Sequence, residues 1–251
     1  MIRNRAFHAA VAALFLALGS FAADDDTRAK EGRRFSFGLR VQAFPYPLFK
    51  TSTSTSSTTK PIADYNYTGS TDSPKVAVGP AFEFRLTRHL SLGTDLVIHR
   101  AGYKEVTEIR SGKKDPNAST DDRKVTTITQ STTASYWDVP VLARYYKLFS
   151  GGFLSHLYAV GGLAYRRVGR VRTGNEFSNA DGTTDYNEKP AVPLRKDQYG
   201  ATVGVGLRVI DDFHIKIMPE ARFTHWSGNT FQGQTYRSVP NELKVGIGVT
   251  F

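Results

Sequence analysis

The chain has no cysteine, and only two tryptophans and two methionines among its 251 residues. Without thiols there can be neither disulfides nor thiolate metal sites. Beyond Ala23 no segment repeats its apolar residues at a helical period, which argues against a helix bundle. No apolar run reaches the roughly 20 residues that a membrane-spanning helix requires. Histidines are few: after the N-terminal segment only His89, His99, His156, His214 and His225 occur. None is paired with a second ligand at metal-binding spacing, so no metal and no cofactor is expected. The stretch "GATVGVG", Gly200 to Gly206, has the glycines of a phosphate loop. It lacks the Lys-Ser/Thr pair and any helix behind it, so a nucleotide site is not expected.

What is present points to β-structure. Glycine occurs 22 times and aromatics make up 12% of the residues. That combination suits an all-β protein. The N-terminus reads as an export signal: Arg3 and Arg5 precede the apolar run "AFHAAVAALFLALG", and Ser20 and Ala22 supply the small residues of a cleavage site. Residues 1–22 are therefore expected to be removed, 23–33 to form a short periplasmic segment, and 34–251 to be the folded domain. Loss of Arg3 and Arg5 lowers the formal net charge from +10 to +8.

Period-two alternation recurs eight times. Phe35, Phe37, Leu39, Val41 and Ala43 alternate with Ser36, Gly38, Arg40 and Gln42. Comparable runs begin near Val76, Leu90, Tyr136, Leu157, Tyr199, Ile215 and Leu243, the fifth of them the least regular. Each has one apolar face and one face of Gly, Ala and isolated charges. Water-facing strands seldom carry so much glycine, which weakens a strand. A narrow barrel lumen does need small residues, with charges that pair across it. The connections obey the same scheme. Short links such as "TRH", Thr87 to His89, alternate with long ones, roughly 45–74, 107–125, 168–197 and 227–241. Long loops at one end and short turns at the other are the layout of outer-membrane barrels, with both termini in the periplasm. The expected fold is thus an all-β, antiparallel, up-and-down transmembrane barrel. Eight strands are expected, or ten if the second and third long loops add a hairpin.

Two segments carry a family resemblance. "SYWDVPVLARYY", Ser135 to Tyr146, resembles the PVLLKYY-type strand of small outer-membrane β-barrel domain proteins, often labelled porin-family and including OmpX- and OmpW-like barrels. "MPEARFTHW", Met218 to Trp226, is similar to the last hairpin of such proteins. The resemblance implies a fold and a bacterial outer-membrane location, not an activity. It also gives meaning to the alternating end "LKVGIGVTF": Phe251 resembles the terminal signal that the barrel-assembly machinery recognises, and deleting it is expected to impair insertion.

Inside an eight-stranded barrel side chains just fill the lumen. Glu83, Arg85, Asp95, Asp138, Arg144, Glu220 and Arg222 have lumen parity and are expected to form an ion-pair network there. The basic residues are scattered: Lys104, Lys113, Lys114, Arg123 and Lys124 in the second long loop, and Arg166, Arg167, Arg170 and Arg172 near the third. They suit the phosphates of lipopolysaccharide, whereas an exported protein rarely meets nucleic acid. The hydroxyl-rich "TSTSTSSTTK", Thr51 to Lys60, is expected to be a mobile loop tip. The expected role is a monomeric, non-enzymatic barrel acting in structure, surface interaction or small-solute passage, with lipopolysaccharide and the assembly machinery as partners. One alternative belongs to another class. "RFTHWSGN", Arg222 to Asn229, resembles a segment of lipid A 3-O-deacylase, an outer-membrane esterase. That likeness implies His225 as base, Ser227 as nucleophile and Glu242 as candidate acid. Against the pattern, Asn229 comes one residue late, and Glu242 has lumen parity.

Overall fold

The computed structural model describes residues 34–60, 62–71, 76–114, 121, 123–146, 148–149, 153–179, 183–188, 192–210 and 215–251. The expected signal peptide and the 23–33 segment lie outside the described residues, as do Asp211, Asp212 and His214. Among the described residues fifteen strands are present: β1 (Phe35–Ala43), β2 (Phe49–Thr51), β3 (Thr53–Thr59), β4 (Ile62–Thr71), β5 (Val76–Arg85), β6 (Leu90–Asp95), β7 (Val97–Ser111), β8 (Lys124–Tyr146), β9 (Leu157–Ser178), β10 (Thr184–Glu188), β11 (Asp197–Leu207), β12 (Val209–Ile210), β13 (Lys216–Trp226), β14 (Tyr236–Ser238) and β15 (Asn241–Thr250). A 3-10 turn, Phe153–His156, precedes β9. Among the described residues no helix is long and apolar enough to cross a membrane.

Antiparallel pairing runs from β1 through β5, the nearly continuous β6–β7, β8, β9, β11, β13 and β15, and returns to β1. Leu39 closes the ring, opposite Pro80 on one side and Val249 on the other. The ring has eight members, so the ten-stranded alternative does not hold. Extra hairpins do form, but they extend the wall instead of widening it: β3 and β4 add beside β7, and β10 adds beside β9.

Alternation is resolved as the sequence implied. Phe37, Leu39, Val41, Val78, Phe82, Phe84, Val203, Val205, Phe223, Val245 and Ile247 point outward and are exposed. Ser36, Arg40, Gln42, Ala77, Ala81 and Glu83 point inward and are buried. Glycine on the inner face makes room. A Cβ on Gly93 would sit 1.8 Å from the Arg144 guanidinium, and one on Gly206 would sit 2.4 Å from the Tyr158 ring.

The strands differ in length. β1, β5, β11, β13 and β15 have 9, 10, 11, 11 and 10 residues, the length of a strand that crosses a bilayer at a tilt. β8 and β9 have 23 and 22, and β7 has 15. Much of the expected loop sequence therefore lies in strands that rise past the apolar band. The hydroxyl-rich tip is one case: Thr53–Thr59 is strand β3, held by β4 through pairs such as Ser56 with Tyr65 and Ser54 with Tyr67. Threonine's branched Cβ favours extended backbone even without apolar anchors.

Candidate functional site

The lumen holds the densest chemistry of the molecule. Five buried acids, Glu83, Asp95, Asp138, Glu220 and Glu242, face five buried bases, Arg40, Arg144, Arg166, Arg222 and Lys244. They fall into two storeys. Near the turn end, Arg40 lies 3.3 Å from both Asp95 and Glu220. Arg222 reaches Asp95 at 2.5 Å and also contacts Glu220. Glu220 further takes Arg144 Nε at 3.4 Å and the Tyr158 hydroxyl at 2.8 Å. Tyr146 donates to Glu83 at 2.6 Å.

The upper storey is centred on Arg166. Its guanidinium holds both Asp138 oxygens at 2.7 Å, and Nη2 also lies 2.7 Å from Glu242. Lys244 bridges the same two acids at 2.7 and 3.0 Å. Trp226 Nε1 donates to Glu242 at 2.9 Å, and the Arg166 guanidinium packs 4.1 Å from the Trp226 ring. His99 lies 3.4 Å from Asp138 and stacks on Tyr136. Between the storeys is an internal void of about 10 Å³, lined by Gln42, Asp138, Thr202, Arg222 and Lys244. That is about the room one water occupies.

Above the upper storey the mouth is covered. β2 and β14 pair across it, bringing Phe44, Leu48, Phe49 and Phe231 onto Tyr103 and Tyr136. The Tyr103 and Tyr236 rings stack at 3.6 Å with their hydroxyls 2.9 Å apart, and Thr235 donates to Glu105. Part of the long connection expected after β13, 227–241, is thus the cap.

Of the residues expected in the network, Glu83, Asp95, Asp138, Arg144, Glu220 and Arg222 are in it. Arg85 is half-buried at the turn end, close enough to Lys216 for their charges to interact. Five members lay outside the expected network: Arg40, His99, Arg166, Lys244 and Glu242, the last of which had lumen parity but was assigned only to the alternative catalytic set. Arg40, His99 and Lys244 were legible by parity, since each alternates with outward apolar residues. Arg166 was not, because its run has Gly161 on the outer face and apolar Val160 and Ala164 on the inner, so the two faces do not separate by composition.

The alternative catalytic set is not assembled. His225 is exposed on the outer face, with Nδ1 2.6 Å from Asn241 Oδ1. Ser227 Oγ accepts from Tyr199 N at 3.4 Å. Glu242 lies on the other side of the wall, held by Arg166, Lys244 and Trp226. The pairing registers explain this: His225 sits opposite Asn241, and Glu242 opposite the inward Thr224. Phe251 is exposed, its N–H donating to Phe37 O at 2.9 Å.

An eight-stranded closed ring with an apolar exterior and a charged, filled interior defines the class of transmembrane β-barrels. Residues 64–227, more than half of the chain, match the outer membrane protein beta-barrel domain family, and the protein belongs to that family. None of the curated proteins compared matches the chain.

Proposed function

We propose that the protein is a sealed, non-enzymatic barrel of the outer membrane whose loop end faces outward and makes its contacts there. The observation that supports this reading is the interior: among the described residues a charge-balanced network fills the lumen around a water-sized void, and an aromatic cap lies over the mouth. Equal numbers of buried acids and bases among the described residues also mean that this network carries no net charge of its own. The formal excess, +10 less Arg3 and Arg5 of the expected signal peptide, therefore resides outside that network, where lipopolysaccharide or another surface would meet it.

Conductance of the purified barrel in planar bilayers is the test. No steps above leak are expected, and large stable openings would overturn the reading. The esterase alternative has its own measurement. Lipid A from a Gram-negative host expressing the wild-type chain or Ser227→Ala is compared by mass spectrometry. Unchanged lipid A in both is expected; loss of a 3-hydroxyacyl chain with the wild type alone would make the protein a deacylase.

A further inference from the structure

The outer wall of the tall sector carries a basic groove directly above the apolar band. On β8 the outward column passes from Trp137, exposed and apolar, to Ser135, Thr133, Ser131 and Thr129. Beside Ser135 stands Arg100 of β7, one outward step above the exposed Ile98. On the other flank β9 supplies Arg170 and Arg172. The groove encloses about 580 Å³, with Tyr186 of β10 and Glu176 forming its upper wall.

A bulge sets this up. Ala134 pairs with Val171 but Tyr136 pairs with Val168, so three steps along β9 oppose two along β8. The extra residue shifts the parity of the rest of β9. Strict alternation from the buried Arg166 would have sent Arg170 and Arg172 into the lumen; Val171 and the buried Thr173 point inward in their place. Bulges commonly re-aim side chains in this way. Ser135 pins the bulge, its Oγ accepting from Arg170 N at 2.9 Å and donating to Arg170 O at 3.3 Å. Gly169 permits it, since a Cβ there would sit 2.7 Å from Ser135 Oγ. Among the described residues no carboxylate forms an ion pair with Arg100, Arg170 or Arg172.

We infer that this groove binds the phosphorylated headgroup of an outer-leaflet glycolipid. The acyl chains would lie along Ile98, Trp137 and Leu163, which are exposed below. Tryptophan marks the level where hydrocarbon gives way to headgroups, so a lipid seated there places its phosphate one or two rows higher, at the arginines. Arginine's planar fork takes two phosphate oxygens at once. The hydroxyl column of Ser131 and Thr133 suits sugar or phosphate oxygens. Glu176 repels an anion at the upper wall and sets how far the headgroup can rise. The inference rests on the loop end facing outward, since the inner leaflet carries phospholipids instead.

The test is native mass spectrometry and fluorescence titration of the detergent-folded barrel. The probes are bis-phosphorylated lipid A, its dephosphorylated form, and phosphatidylglycerol. Wild type should prefer phosphorylated lipid A. Arg170→Gln/Arg172→Gln should weaken that binding by roughly thirtyfold, at about one surface charge each, with unchanged circular dichroism. Lys113→Gln/Lys114→Gln removes equal charge from an exposed loop and should change it less than about threefold. Equal losses in both double variants, equal binding of the dephosphorylated lipid, or a preference for phosphatidylglycerol would each overturn the assignment. Binding in detergent needs no sealed pore, so a conducting barrel that still takes the lipid would refute the proposed function and leave this site standing.

Discussion

Arg166 and Arg170 lie four residues apart on one strand and have opposite fates. Arg166 is buried in the lumen against Asp138 and Glu242. Arg170 stands exposed on the outer wall with its guanidinium open to the surroundings. Nothing in the residue type separates them; one inserted residue in the pairing register does. The lesson is that in a thin wall a charge is structural or available according to parity alone, and parity is set by a few local hydrogen bonds.

The comparison is broken most severely at Arg166. Arg166→Met would leave Asp138 and Glu242 buried with only Lys244 between them, and stranding a buried charge costs about 3–5 kcal/mol. Urea unfolding of the barrel in detergent should show that loss. A variant as stable as wild type would mean that water enters the lumen freely.

Next in size is the pin of the bulge. Ser135→Ala removes the hydroxyl that bonds both Arg170 N and Arg170 O, at about 1 kcal/mol. Hydrogen exchange at Arg170 should quicken while the lower barrel stays protected. Unchanged exchange would show that the pairing of β8 with β9 holds the bulge unaided. Smaller again is Arg170→Gln itself. With no ion pair to lose among the described residues, the stability change should stay within about 0.5 kcal/mol. A destabilisation approaching that of Arg166→Met would erase the distinction drawn between the two arginines.

The smallest effect concerns the tip of the tall sector. There Asp64 takes a hydrogen bond from Ser57 and another from Arg123 at 2.5 Å, and Arg123 also holds Asp121 at 2.8 Å. The Ser57 hydroxyl first, then the Arg123 guanidinium, lowers the Asp64 pKa below its ordinary value. A carboxyl whose folded pKa is depressed contributes stability above its unfolded pKa of about 4 and loses it as pH falls through the folded value. Protease nicking between β3 and β4 should therefore rise below about pH 4 in wild type. Arg123→Gln should show much of that nicking already at pH 6, with the barrel intact in both.

How much the sequence disclosed depends on burial of one face. Where one side of a strand meets lipid and the other a crowded lumen, as in β1, β5 and β15, period two is plain and the inward residues can be named. Where both sides meet water the pattern has no cause to appear. "VTTITQ", Val125 to Gln130, forms the top of β8 with neither face buried, and it lies outside the expected strand, which begins only near Tyr136. The same holds for Thr53–Thr59. The bulge was illegible for another reason: it depends on where β8 and β9 fall into register, which no local pattern in β9 records. Hence Arg170 and Arg172 could be noticed as basic residues near a loop, but not assigned to a wall. The lumen parity of Glu242 was legible by the same rule: it is the even-numbered residue of β15 that faces inward beside Lys244, across the wall from His225.

The uneven strand lengths have a consequence for neighbours. Five strands, from β11 round to β5, stop near the limit of their apolar face, while β7 to β9 continue far beyond it. The protein therefore has a front and a back in the plane of the membrane. Another protein drifting in from the low side can approach until the two walls touch. From the high side it meets a standing screen whose outer face carries the basic groove, so a lipid held there would lie between the two proteins.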